Sequence, residues 1–181
     1  MNRAKRRGIA VVFWLGMCLS SVCVVACSRD VAPPSTVILV RHAEKADDGD
    51  DPDLTELGRA RAQELAHTLG ALDIRAVYAT QYARTQETAR PLAESLGLSV
   101  TVAQATSDYA GEMASLIRTE HLGQIVVVVS HSNTVPAIID ALGAGPAPSI
   151  ADDEYDDLFV VTIEAGGRSN MLRLRYGVAT P

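Results

Sequence analysis

The sequence predicts an α/β domain of three layers, α/β/α: a mainly parallel open sheet, helices on both faces and a C-terminal hairpin. Three observations predict it. From Thr36 onward, short apolar and β-branched runs alternate with stretches of helical periodicity, the signature of strand–helix units with right-handed crossovers. One run, residues 125–129, carries no alternating polar residue, as expected of a central strand covered on both faces. The last two runs flank Gly166-Gly167, a turn signal between two antiparallel strands.

The elements follow in order. Residues 36–40 form the first strand, and residues 55–69 a helix, with Thr55 placed to cap it and Leu65, Leu69 and Leu72 at helical spacing. Residues 76–79 are a second strand. A second helix spans 83–96, ended by Gly97 and bent by Pro91, which lacks the N–H of an internal helical bond. Residues 98–102 are a third strand, and 110–122 a third helix with Gly123 as its stop. After the strand at 125–129, a short helix runs from Asn133 or Thr134 to Leu142, and residues 143–149 make a Gly/Pro loop. Residues 158–164 and 170–176 form the hairpin.

The N-terminus has a different composition. Arg3, Lys5, Arg6 and Arg7 precede an uncharged run of 17 residues, 9–25, the layout of a secretory signal and short of the ~20 residues that span a bilayer. Val24-Val25-Ala26-Cys27 resembles a bacterial lipobox. That likeness implies a signal peptide over 1–26, a lipidated tether over 27–35 stiffened by Pro33-Pro34, and a domain over 36–181. It implies that acylated Cys27 anchors the domain to a lipid bilayer, facing the periplasm. Ser28 after the cysteine leans towards the outer membrane of a Gram-negative host. The alternative is an uncleaved signal anchor, which leaves the domain on the same side. Without residues 1–26 the chain keeps 12 Lys+Arg against 22 Asp+Glu, a formal charge of −10. No basic stripe remains for nucleic acid. Residues 28–181 hold no cysteine, so disulfides cannot staple the domain.

In an open parallel sheet, ligands bind beyond the carboxyl ends of the strands. Arg41-His42 follows the first strand, Thr80 to Arg84 the second, and Ser130-His131-Ser132-Asn133 the buried fourth. Two imidazoles and two guanidiniums thus reach one edge. Guanidinium forks match phosphate oxygens and stay charged. A neutral imidazole can attack phosphorus and carry it as phosphohistidine. His131 can donate to the equatorial oxygens, and the helix start at Ser132 and Asn133 offers N–H groups to an anion. Arg41 beside His42 favours the neutral, nucleophilic imidazole. Singly, each has a plainer reading as a hydrogen-bonded surface group or as an arginine whose stem covers apolar surface. Their shared location favours chemistry.

Arg41-His42-Ala43-Glu44, Leu54-Thr55-Glu56-Leu57-Gly58-Arg59-Ala60, Tyr78-Ala79-Thr80 with Arg84-Thr85-Gln86-Glu87-Thr88-Ala89, and Ser130-His131-Ser132-Asn133-Thr134 together resemble the histidine phosphatase superfamily, on its phosphoglycerate-mutase-like branch. The resemblance runs from Thr36 to about Tyr176. It implies that His42 is the nucleophile, that Arg41, Arg84 and His131 form the phosphate pocket with Ser132, and that the substrate is a small phosphorylated molecule. No cofactor or metal is implied. Ala43 stands where glycine is usual, Thr80 where serine is common, and Ser130 where glycine often precedes the second histidine. The insertions of the mutases are missing, which implies a phosphatase of phosphomonoesters rather than a mutase, and the built-in cations make it a metal-independent, acid-type one.

The leaving oxygen needs a proton. In the family the acid comes from the segment after the third strand, here residues 103–112, with Asp108 favoured over Glu112. Short phosphohistidine phosphatases lack such an acid, so a phosphohistidine protein is an alternative substrate, as is an envelope phosphosugar. A surface module that binds phosphate without turnover is the non-enzymatic alternative. The two acidic clusters, Asp47 to Asp53 and Asp152 to Asp157, read as solvated loops. The first lacks the register of an EF-hand.

Overall fold

The computed structural model describes residues 32–47 and 49–180. The expected signal segment, Cys27 and the tether up to residue 31 lie outside the described residues. So does Asp48 of the first acidic cluster. Among the described residues no helix is long and apolar enough to cross a membrane.

Ten elements follow one another along the described residues: β1 (Ser35–Arg41), α1 (Glu56–Leu69), β2 (Ile74–Ala79), α2 (Ala83–Ser95), β3 (Val100–Val102), α3 (Tyr109–Glu120), β4 (Ile125–Ser130), α4 (Thr134–Ala141), β5 (Asp157–Ile163) and β6 (Ser169–Arg175). The six strands form one sheet in the order β3-β2-β4-β1-β5-β6. The β3-β2-β4-β1 half is parallel. β5 runs antiparallel to β1, and β6 closes the expected hairpin on β5. One face is covered by α1 and α2, through Leu65, Leu69, Ala89 and Leu92. The other is covered by α3 and α4, through Met113, Ile117, Val135 and Ile138. The three layers of the expected fold are all present.

The core explains the order. Val126, Val127, Val128 and Val129 of β4 have no exposed surface at all, because β2 and β1 flank them and helices lie above and below. Each buried valine of this kind stabilises the fold by about 1.5–3 kcal/mol. α1 starts where expected: Thr55 caps it by accepting a hydrogen bond from Gly58 N at 2.9 Å. α2 runs on through Pro91 to Ser95.

β3 is shorter than the sequence suggests. Gly97 adopts φ +66°, and the next amide, Leu98 N–H, donates to Ala93 O at 2.8 Å. Leu98 thereby belongs to the left-handed closure of α2, and only residues 100–102 remain to pair with β2. β2 in turn begins two residues earlier than its apolar core, at Ile74.

The parallel register is what places the site. Arg41 pairs with Ser130, and Ala79 with Val129. The residues that follow β1, β2 and β4 therefore emerge side by side.

Candidate active site

At that edge a cleft of about 420 Å³ is lined by Arg41, His42, Lys45, Tyr82, Arg84, Ala105, Thr106, His131, Ser132, Asn133, Thr134 and Asp152. The structure thus brings together His42, Arg41, Arg84, His131 and Ser132, from segments far apart in sequence. A larger groove elsewhere is lined by Asp108, Glu112 and neighbours on α3. It contains none of these groups.

His42 is held from both sides. Its backbone N–H donates to Ser130 O at 2.8 Å. Its ring Nδ1 lies 2.8 Å from Ala43 O. A carbonyl can only accept, so Nδ1 carries the proton and the lone pair sits on Nε2. Burial pushes the imidazole down to about 3, against the pull of the Ala43 carbonyl, and the nearby Arg41, His131 and Arg84 push the same way. At neutral pH the ring is an uncharged base with its reactive nitrogen free.

His131 faces it, with ring centroids 5.5 Å apart in an edge-to-face arrangement. Burial, then Arg84 and Arg41, lower its value to about 4. Its Nε2 is 3.0 Å from Thr80 Oγ1, which also lies 2.9 Å from Thr85 Oγ1. Its backbone N–H donates to Thr134 Oγ1 at 2.9 Å, tying the histidine to the first residue of α4.

The two guanidiniums are fixed differently. Arg41 is buried, donates from Nη1 to Ala151 O (2.7 Å) and Glu154 O (3.0 Å), and stacks 4.2 Å over the Tyr155 ring. Arg84 stacks 4.4 Å over Tyr82, donates from Nη1 to Asp50 O at 3.3 Å, and lies 3.7 Å from Asp51 Oδ1. Each keeps a buried Nε with no hydrogen-bond partner among the described residues. Two fixed cations with unused donors, either side of a neutral imidazole, suit a tetrahedral anion.

The conspicuous motif residues around the site support its backbone. Thr55 N donates to Glu44 O at 2.9 Å, and a Cβ on Gly58 would sit 2.4 Å from the same oxygen. Glycine is what lets α1 press against the chain just after His42. Arg61 clamps the Glu44 carboxylate at 2.7 and 3.0 Å and reaches Tyr176 O at 3.1 Å. Ala43 is fully buried, packs with Leu54 and Ala62, and donates its N–H to Thr88 Oγ1.

Asp108 is not brought into the cleft. Ala105 and Thr106 line it, and the chain then turns into α3, leaving Asp108 at the helix start in the separate groove. Glu112 lies there too, accepting from Thr106 Oγ1 at 3.2 Å. Asp152 is the carboxyl in the cleft lining. The second acidic cluster also corrects the expectation of a solvated loop: Asp156 and Asp157 are buried and paired with arginines of β6. Sequence reasoning placed Thr80 to Arg84 at this edge but gave no role to Tyr82 or Tyr155, which stack on the two arginines. Only their places, two residues before Arg84 and inside the acidic run, hint at them.

Residues 37–116 match the family model described as histidine phosphatase superfamily (branch 1). No curated protein matches the chain in sequence. Among solved structures, mycobacterial glucosyl-3-phosphoglycerate phosphatase superposes with a TM-score of 0.61 at 18% identity, over 81% of this chain and 100% of that one. The protein histidine phosphatase SixA, solved with tungstate, gives 0.60 at 18% identity over 77% of this chain and 96% of its own. YhfR of Bacillus stearothermophilus gives 0.61 at 19% identity, over 81% and 96%. Such identities speak to the fold, which is shared over 77–81% of this chain and 96–100% of theirs. Residues 37–116, less than half of the chain, thus carry the likeness to the histidine phosphatase superfamily (branch 1), on a fold that these solved phosphatases share.

Proposed function

We propose that this protein hydrolyses phosphomonoesters through a phosphohistidine on His42, at the end of a lipid tether outside the cytoplasmic membrane. The observation that carries the enzymatic part is the neutral His42 ring, with its Nδ1 proton on Ala43 O and its cleft shared with Arg41, Arg84 and His131. The mycobacterial phosphatase of the same fold has been solved with inorganic phosphate and with VO3.

In the first step Nε2 of His42 attacks phosphorus; a P–N bond forms as the P–O bond to the leaving group breaks. Arg41, Arg84 and His131 bind the non-bridging oxygens, whose charge must be stabilised as the phosphoryl group transfers. An arriving dianion raises the affinity of His131 for a proton, so the ring becomes a donor when needed. Water then attacks the phosphohistidine, the P–N bond breaks, and inorganic phosphate leaves with His42 restored. The cations are supplied by side chains, and the reaction is proposed to run without metal. Asp152, the carboxyl lining the cleft, takes the place foreseen for Asp108 as proton source for the leaving oxygen.

The test is turnover of an aryl phosphate by the full-length chain in chelator, with acid-labile, base-stable phosphate labelling mapped to His42. Activity unchanged in His42→Ala refutes the reading. A phosphohistidine protein and an envelope phosphosugar are the alternative substrates. A panel of both separates them. Export and anchoring rest on Arg3 to Arg7, the uncharged run and Cys27. Fatty-acid labelling and membrane fractionation test them, with Cys27→Ala expected to lose both.

A further inference from the structure

Resting on the assignment of Arg41 to the phosphate, we infer that Arg173 and Arg175, on edge strand β6, are positioning residues for the Arg41 guanidinium. They act through the acidic loop that precedes β5. The two carbonyls that hold Arg41 Nη1 belong to Ala151 and Glu154, and neither residue lies in a strand or helix. Something must fix that loop. Glu154 Oε2 accepts from Ala151 N at 3.2 Å, which closes the loop on itself. Glu154 Oε1 is gripped by Arg173 Nη2 (2.6 Å) and Arg175 Nη2 (2.7 Å).

The same two arginines hold the adjoining carboxylates. Arg173 takes Asp157 in a two-pronged pair at 2.6 and 2.7 Å. Arg175 Nη1 takes Asp156 at 2.5 Å. The pairing is more than a surface decoration: the Asp157 and Asp156 side chains are 0% and 6% exposed, and Glu154 is 14% exposed. Exposed ion pairs contribute little, but a buried carboxylate deprived of its partner must move to find water. Here such a move carries the Ala151 and Glu154 carbonyls with it. The arginines themselves cannot drift, because β6 is paired with β5 over seven residues, including Asp157 with Arg175.

The test is a double-mutant cycle in the full-length protein, read by vanadate affinity and by aryl phosphate turnover. Arg175→Ala and Glu154→Gln should each weaken vanadate binding and lower kcat/KM by about tenfold, as a small misplacement of a catalytic group does. In an Arg41→Ala background the same changes should have no further effect, and Arg175→Lys should recover part of the loss. Arg168→Ala, which removes the exposed pair with Glu164 at the hairpin turn, should change nothing. Equal losses with and without Arg41, or no loss at all, overturn the inference. If the parent protein binds vanadate but turns nothing over, the proposed activity fails while the cycle on affinity still decides. If it binds no vanadate, both fall.

Discussion

His42 and His131 meet edge to face at 5.5 Å between ring centroids, and both are held uncharged by burial among arginines. Two imidazoles this close, flanked by two guanidiniums, leave no room for a further positive charge. An anion of two negative charges is what relieves them.

The first prediction concerns acid. In the unfolded chain both rings titrate near 6.5, whereas in the folded chain they do so at about 3 and about 4. Above 6.5 neither form binds the extra proton and the rings contribute nothing. Below it the unfolded chain gains protons that the folded one refuses. Stability should therefore fall as pH drops from 6.5 towards 4, by up to ~1.4 kcal/mol per unit for each ring. Urea unfolding across that window measures it, and saturating phosphate should flatten the slope.

The Thr80 hydroxyl bridges His131 Nε2 and Thr85 Oγ1. Thr80→Val, which keeps the shape and removes the hydroxyl, should reduce kcat by up to about tenfold, the worth of the one hydrogen bond that orients the His131 ring. Thr80→Ser should keep most of it. Steady-state kinetics of the two variants decides.

Asp152 and Asp108 separate cleanly. Asp152→Asn should slow alkyl phosphates far more than aryl phosphates, because only the former need a proton on leaving. Asp108→Asn should leave the alkyl-to-aryl ratio where it was. A reversed pattern returns the role to the α3 helix start.

Gly58 offers a structural test. A methyl group there meets Glu44 O at 2.4 Å, and backbone on both sides cannot yield cheaply. Gly58→Ala should cost about 1–3 kcal/mol and displace the segment behind His42, lowering both the thermal midpoint and kcat. Calorimetry beside a turnover assay reads the two effects together.

The layered fold was legible because periodicity is local: the uninterrupted valines of β4, the Thr55 cap and the glycine turn of the hairpin each announce themselves within a few residues. The four charged side chains of the cleft were legible because they follow strands directly. The ends of β3 were not, since Gly97 could stop a helix in more than one way. Nor was the state of Asp156 and Asp157. An acidic run reads as solvent-facing unless one knows that Arg173 and Arg175 stand opposite, and that depends on hairpin register. Asp108 was misplaced for a similar reason: one turn of chain after Thr106 decides which side of α3 a carboxyl reaches.

β1 lies between β4 and β5, so Thr36 is paired with both Ile125 and Thr162. A chain leaving a ribosome holds β1 long before either neighbour exists. Contacts this distant in sequence also make folding slow. The cleft that follows β1 is therefore withheld until β5 has been delivered, and a nascent chain carries Arg41 and His42 without the carbonyls that hold them.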